Sequence, residues 1–122
     1  MERKQRVNTG ELQLHEERFQ KLSESIQEAI VITDRGRVID FNQQFSRLFG
    51  YELSEAVGMR GWEFVTAEYR DLISQNDLTT DKKNYEAMHR RKDRSVFWGL
   101  ASSHSMEYQG RWVRVTVIRD IT

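Results

Sequence analysis

The sequence predicts an α+β domain built on a five-stranded antiparallel sheet that carries short helices on one face. Two β-branched runs, at 29–33 and 37–41, flank a turn signal and predict a hairpin. Apolar residues at helical spacing follow, broken by glycine and serine. Three further strand patterns close the chain, at 84–91, 96–104 and 111–119. Since these late strands must return to pair with the first hairpin, the helices can cover only one sheet face.

The composition restricts both the size and the class of the protein. A length of 122 residues suits one domain, and 19 basic residues balance 19 acidic ones, so charge gives no case for nucleic acid or an anionic membrane as partner. Cysteine is absent, which excludes disulfides, thiolate metal sites and cysteine nucleophiles. No apolar run approaches the roughly 20 residues of a membrane span, and the start lacks a signal-peptide pattern. We therefore expect a cytoplasmic domain.

The pattern of the first 28 residues predicts a polar start and a helix that precede the domain at 29–122. Residues 1–11 are polar and lack periodicity, so we expect a disordered start or a remnant of expression. Apolar positions then recur at spacings of 3, 4, 3 and 4, which predicts an amphipathic helix over 12–28 with a short coiled-coil rhythm. These positions are Leu12, His15, Phe19, Leu22 and Ile26. Two heptads alone form only a marginal helix pair.

Cap and turn residues delimit the first hairpin and the helix after it. Gly36 supplies the positive φ of the hairpin turn, and Asn42 is placed to cap the next helix. Gly50 ends that helix. Its apolar face consists of Phe41, Phe45, Leu48 and Phe49.

The middle of the chain predicts one more helix and then a loop. Thr66 is placed to cap a helix that turns Tyr69, Leu72 and Ile73 inward. Residues 74–83 are polar and are expected to form a loop before the last three strands.

A set of residues spread over about 18–122 follows a recognisable order and spacing. The set consists of Arg18, Phe19 and Leu22; 29–34, Gly36 and 38–42; Phe45, 48–51, Glu55 and Gly58; and Tyr85, Glu86, 91–93, Trp98 and 119–122. In this order and spacing the sequence resembles the PAS family, including its C-terminal PAC part. Arg94 departs from the pattern, because many members carry glycine after the position of Asp93, and this leaves the turn type open.

The resemblance implies a five-stranded antiparallel sheet with a helical belt that encloses a pocket. It also implies a sensory or dimerising role within a multidomain signal-transduction protein. The attached output domain in such proteins is often a histidine kinase, as in two-component systems, or a diguanylate cyclase. We expect any catalytic activity to belong to that output domain, and residue 122 falls where the family's linker to the output helix begins.

Cofactor attachment is restricted by the residues that the chain lacks. Without cysteine it cannot form the flavin–cysteinyl adduct of some PAS proteins. Haem-binding members commonly use a histidine on the helix before the last three strands, and residues 66–80 contain none, which disfavours haem. A non-covalent small ligand or flavin stays open, and so does an interior without a ligand.

Strand alternation turns one set of residues toward the helices, and this set is the candidate pocket. His89 shares a face with Tyr85 and Ala87, and in similar flavin-binding PAS proteins the matching position points into the pocket. The expected floor has small side chains that leave room for a ligand: Gly99, Ala101, Ser103, Thr116 and Ile118. In the alternative, favoured by the dense packing of interiors, that room is filled by Phe45, Phe49, Trp62 and Phe64. We expect His89 to be a satisfied polar side chain rather than a metal ligand.

The same alternation turns an apolar stripe to the other sheet face. The stripe consists of Trp98, Leu100, Val113, Val115 and Val117. Such a stripe needs a cover, and the apolar face of the helix at 12–28 is the obvious one. The helix either folds back on its own sheet or crosses to a second chain. We favour a parallel homodimer, because the helical spacing continues through Leu12, beyond what one sheet needs.

Asp120 and Thr122 belong to the terminal signature of the resemblance. Asp120 either caps the last strand or, as in similar proteins, anchors the exit linker for signal relay. No arrangement of carboxylate pairs, nucleophile and base, phosphate loop or metal ligands competes with this interpretation. The basic run at 89–92 alternates across a strand and is better explained as solvated than as a nucleic-acid site.

Overall fold

A five-stranded antiparallel sheet forms the centre of the molecule, which confirms the predicted fold class. The computed structural model describes residues 28–76 and 83–122. The strands lie in the order β2-β1-β5-β4-β3, so the last strand pairs with the first and joins both hairpins into one sheet. The strands are β1 (Ala29–Asp34), β2 (Arg37–Phe41), β3 (Lys83–Arg90), β4 (Val96–Tyr108) and β5 (Arg111–Asp120). The predicted helix over 12–28 lies outside the described residues.

Short helices connect β2 to β3. They are α1 (Gln43–Phe49), α2 (Leu53–Ala56) and α3 (Arg70–Asn76), with 3-10 turns at Gly61–Phe64 and Ala67–Tyr69 between α2 and α3. Each is one or two turns long, so packing against the sheet rather than helix propensity must stabilise it.

Two predictions for this region were wrong. The expected loop at 74–83 starts too early, because α3 continues to Asn76. Leu72 does not turn inward: it is 38% exposed, whereas Ile73 beside it is 4% exposed. Consecutive helix residues face different directions, so only one of these two neighbours can reach the sheet.

The tight turns use positive φ at residues other than glycine as well. Arg94 has φ 74°, so the arginine that departs from the family pattern adopts the left-handed conformation that glycine would take there. The cost of such a conformation for an L-residue is roughly 1–2 kcal/mol. The β4–β5 turn uses the pair Gln109 and Gly110, at φ 53° and 79°.

Asn42 joins the first hairpin to α1, as its predicted capping role requires. Its Oδ1 accepts hydrogen bonds from the backbone N–H of Phe45 in α1 and of Ile30 in β1, at 3.0 and 2.9 Å. Its Nδ2 donates to the carbonyl oxygen of Glu28 at 2.8 Å. The side chain is 1% exposed, so these bonds form out of contact with water.

Replacing Asn42 with alanine is therefore expected to lower the free energy of unfolding by about 2 kcal/mol, because buried backbone groups lose their partners. Urea unfolding monitored by circular dichroism measures the change. The matched control is Gln43→Ala, at an exposed α1 position, which should stay within about 0.5 kcal/mol of the wild type. An Asn42→Ala protein as stable as this control would contradict the assigned role.

Apolar side chains form separate clusters on the two sheet faces. The inner cluster joins strand residues to the helical layer and includes Phe45, Phe49 and Phe64. The outer cluster contains strand residues alone: Ile30, Ile32, Tyr108, Val113 and Val115, with Ile39, Met106 and Val117 beside them. Ile32 is 0% exposed, although the described helices contribute no residue to its cluster.

Within residues 28–76 and 83–122, the structure has no helix of the length and apolar character that crossing a bilayer requires.

Candidate functional site

Aromatic rings pack against one another between the sheet and the helices. The Phe45 ring lies 4.6 Å from that of Phe41 and 4.5 Å from that of Phe49, measured between centroids. The Phe64 ring meets Phe45 and Phe49 edge-on at 5.4 Å. Phe45 and Phe49 are 0% exposed. These rings fill the volume that a large ligand would need.

A small cavity remains beside this aromatic cluster. Its volume is about 40 Å³, whereas sites for drug-sized ligands and cofactors measure roughly 300–1,000 Å³. It is lined by Val31, Thr33, Val38, Phe45, Gly61, Phe64, Val65, Ile73, Tyr85, His89, Ser103, Arg114, Thr116 and Ile118. Flavin and haem do not fit this space.

One side of the cavity is polar. Arg114 on β5 is 9% exposed, and its Nη1 donates to the Ser103 hydroxyl oxygen on β4 at 2.8 Å. Thr33 lies opposite Arg114 on β1, and Thr116 lies opposite Ser103. Both threonines are buried. A cation and three hydroxyl-bearing side chains thus line one part of the cavity.

His89 lies against the aromatic cluster and also lines the cavity. Its ring stacks on Phe97 at 5.3 Å and meets Phe49 edge-on at 6.0 Å. Its Nδ1 lies 2.9 Å from the carbonyl oxygen of Ala87; since that oxygen can only accept, Nδ1 carries the proton. Burial, partly opposed by this hydrogen bond, lowers the pKa of His89 from 6.5 to about 4. The imidazole is therefore neutral at physiological pH.

The expected pocket residues divide into two groups. Six of them line the cavity: Phe45, Phe64, His89, Ser103, Thr116 and Ile118. The other four, Phe49, Trp62, Gly99 and Ala101, are absent from its lining.

Each of those four residues has a packing role. An added Cβ at Gly99 would lie 2.6 Å from His89 Nδ1, so the imidazole already occupies the space above this glycine. Phe49 and Ala101 belong to the packed inner cluster. Trp62 packs instead with the cluster around Ile73.

Arg114 is the charged residue among the cavity-lining residues that the sequence reasoning missed. Strand alternation places it on the same face as Thr116 and Ile118, and that signal was visible in the sequence. Arginine is almost never fully buried without a partner, so the position was not recognised as part of the interior.

The residues expected at an interface lie on the outer face where the structure describes them. Val113, Val115 and Val117 belong to the outer cluster. Trp98 is partly buried, and its Nε1 donates to a Glu86 carboxylate oxygen at 2.8 Å; Leu100 is also partly buried. The expected helix positions Leu12, His15, Phe19, Leu22 and Ile26 lie outside the described residues.

The end of β5 is connected to the rest of the domain by several hydrogen bonds. Ile121 N–H donates to the carbonyl oxygen of Trp98 at 2.9 Å, and Trp98 N–H donates to the Thr122 hydroxyl oxygen at 3.1 Å. Thr122 N–H donates to the Asp120 carboxylate at 2.9 Å. Hydrogen bonds from Thr122, aided by the charge of Arg91, hold the pKa of Asp120 below its usual value.

Arg91 links the end of β5, where the chain exits the domain, to the interior. Its guanidinium lies 3.6 Å from the Asp120 carboxylate and 4.6 Å from the centroid of the Phe97 ring. Its Nε donates to the carbonyl oxygen of Leu48 in α1 at 3.0 Å. One side chain thus contacts the chain exit, the inner face of the sheet and the helical layer.

The described residues hold no cluster of three or more histidine, cysteine, aspartate or glutamate side chains that could bind a metal ion.

The family model described as "PAS domain" matches residues 27–122, which is most of the chain. The chain belongs to the PAS domain family. No curated protein sequence matches it.

Solved PAS structures share the fold. The PAS domain of an HTR-like protein from Haloarcula marismortui has a TM-score of 0.75 at 22% identity, covering 95% of this chain and 99% of that one. A PAS domain from Colwellia psychrerythraea has a TM-score of 0.73 at 23% identity, covering 87% and 96%. A PAS domain from a two-component sensor histidine kinase has a TM-score of 0.64 at 17% identity, covering 86% and 97%. The cavity and the exit described above are thus those of a PAS sensory domain.

Proposed function

We propose that this PAS domain is a dimerising regulatory module that biases the conformation of an attached output domain through the exit of β5. The output domain is of the histidine kinase or diguanylate cyclase type, and any catalysis belongs to it. The three contacts of Arg91, with Asp120, Phe97 and Leu48, carry this proposal. A change at Phe97 on the inner face of the sheet would alter one of these contacts and so reach the exit.

The entry and exit of the domain also contact each other. The guanidinium of Arg119 at the end of β5 donates hydrogen bonds to the carboxylate of Glu28, immediately before β1. A lead-in helix that ends near residue 28 and a linker that begins near residue 120 would therefore move together. This arrangement suits a relay between flanking helices.

Dimerisation through the outer sheet face is the second part of the proposal. The outer cluster is buried although the described helices contribute no residue to it, and a face this apolar requires a cover. The lead-in helix over 12–28, with its apolar positions, suits that cover, and a parallel homodimer would place two such helices side by side. We propose a cytoplasmic location, which the absence of cysteine suits.

The alternative function is a ligand-free interaction module. The packed aromatic cluster and the cavity of about 40 Å³ favour it. Under this alternative the same exit contacts transmit a change of partner rather than of ligand.

The relay is tested by the basal output activity of the full-length protein. Arg91→Ala and Asp120→Ala are each expected to change that activity roughly fivefold or more, which corresponds to typical coupling energies. The effect of the double variant should fall short of the sum of the two single effects, because the Arg91–Asp120 contact is common to both.

The matched control is Asp34→Ala, which removes a surface ion pair with Arg111 on the opposite side of the domain. It should leave the output unchanged. Unchanged output in Arg91→Ala and Asp120→Ala, or additive effects in the double variant, would refute the relay.

A further inference from the structure

We propose that the inner cavity binds a short-chain monocarboxylate of about acetate size, held by Arg114 and Ser103. As a regulatory input this inference rests on the proposed relay function, whereas the binding itself does not depend on it.

Burial of Arg114 is the first argument. A guanidinium is costly to remove from water, yet this side chain is only 9% exposed and lines the cavity. Its planar fork of five N–H donors matches the two oxygens of a carboxylate. Arg114 has further interactions in the structure, so a bound carboxylate would exchange with one of its present partners. Such an exchange would give the ligand a conformational effect.

Ser103 supplies a second donor at the same place. Its hydroxyl oxygen accepts the hydrogen bond from Arg114, and a hydroxyl that accepts still has its own proton to donate. The pairing of β4 with β5 sets Thr116 directly opposite Ser103, and both side chains line the cavity. These groups favour an oxygen anion over a halide, because they offer several directed donors.

The rest of the lining determines the other end of the ligand. Phe45, Phe64 and Ile118 belong to the inner apolar cluster and line the same cavity. They suit a methyl group rather than another polar group. The ligand is therefore charged at one end and aliphatic at the other, unlike nitrate or sulfate.

The size and charge of the cavity restrict the ligand further. About 40 Å³ corresponds to roughly three water molecules, at about 10–15 Å³ of such space for each, and so to a ligand of about acetate size. Arg114 is the one permanently charged side chain in the lining, and a neutral His89 adds no charge. A monoanion with few non-hydrogen atoms fits these limits, whereas a phosphate dianion or a dicarboxylate does not.

A titration of the ¹⁵N-labelled chain with sodium acetate, followed by amide NMR shifts at constant ionic strength, tests the inference. We expect saturable shifts at 103, 114 and 116, with roughly millimolar affinity as a ligand of four non-hydrogen atoms allows. Acetamide, the neutral analogue, and sodium nitrate should cause no saturable shift there.

Other outcomes would overturn the inference. These are an absence of saturable shifts, equal shifts with nitrate or acetamide, and shifts confined to the exposed cations near Arg47 and Lys92.

Variants locate the binding site. Arg114→Lys should weaken acetate binding at least tenfold, because lysine cannot form the two-pronged contact. Arg111→Lys changes an exposed arginine on the same strand and should bind acetate like the wild type. If Arg114→Lys does not fold, Ser103→Ala serves in its place, with an expected loss of roughly fivefold.

Measuring the oligomeric state of each sample separates the two proposals. A dimer that binds no acetate would refute the ligand and leave dimerisation standing, and a monomer that binds acetate would refute dimerisation and leave the ligand standing.

Discussion

Replacing Gly99 with alanine is expected to lower the free energy of unfolding by about 3 kcal/mol, the upper end of the cost of overpacking a core. The new Cβ would lie 2.6 Å from Nδ1 and 2.9 Å from Cε1 of the His89 ring, and 3.1 Å from a ring atom of Phe97. The imidazole cannot move away easily, because it is stacked on Phe97 and hydrogen-bonded to Ala87. Urea unfolding measures the loss.

A double-mutant cycle identifies the cause of that loss. In a His89→Ala background the clashing ring is gone. Adding Gly99→Ala should therefore lower the free energy of unfolding only slightly below that of His89→Ala alone. The matched control is Gly58→Ala, where a Cβ meets open space but φ is 89°, with an expected cost of about 1 kcal/mol. A Gly99→Ala protein no less stable than this control would show that His89 does not occupy the space above Gly99.

Acidification from pH 6.5 to 4 is expected to remove about 3 kcal/mol of stability through His89 alone. Burial lowers the pKa of this imidazole to about 4 in the folded chain, from 6.5. Above pH 6.5 it is neutral in both states, and its contribution is fully present. Between pH 6.5 and 4 the unfolded chain takes up a proton that the folded chain does not, so stability falls as the pH falls.

The comparison that isolates this effect uses His89→Phe, which cannot titrate. Its unfolding free energy should change less than that of the wild type over the same pH range. His104→Gln, at an exposed strand position, should reproduce the wild-type dependence. Equal pH slopes for His89→Phe and the wild type would mean that His89 is not held neutral by burial.

The fold was predictable because the strand pattern depends on strong local signals. Gly36 at the hairpin turn and Asn42 at the cap each admit few alternatives, and the structure confirms both. The extent of β4 was less predictable: it continues to Tyr108, beyond the expected end at residue 104. Pairing with β5 extends that strand, and such pairing is a tertiary effect that local propensity does not reveal.

The candidate site was predictable only where side-chain direction decides the outcome. Alternation along a strand predicts that Ser103 and Thr116 share a sheet face, but it does not predict which side chains pack over that face. The small side chain of Gly99 indicated room for a ligand, whereas the ring of His89 on the neighbouring strand takes that room. Arg114 was missed because its burial depends on contacts between strands, not on its own sequence neighbours.

Native mass spectrometry of the chain, purified from cells without added cofactor, tests most directly the claim of a dimeric relay with a packed interior. The account predicts a species of twice the mass of one chain, without the added mass of flavin or haem. A monomer at all working concentrations would contradict the proposed interface. A species that retains flavin or haem would contradict the packed interior.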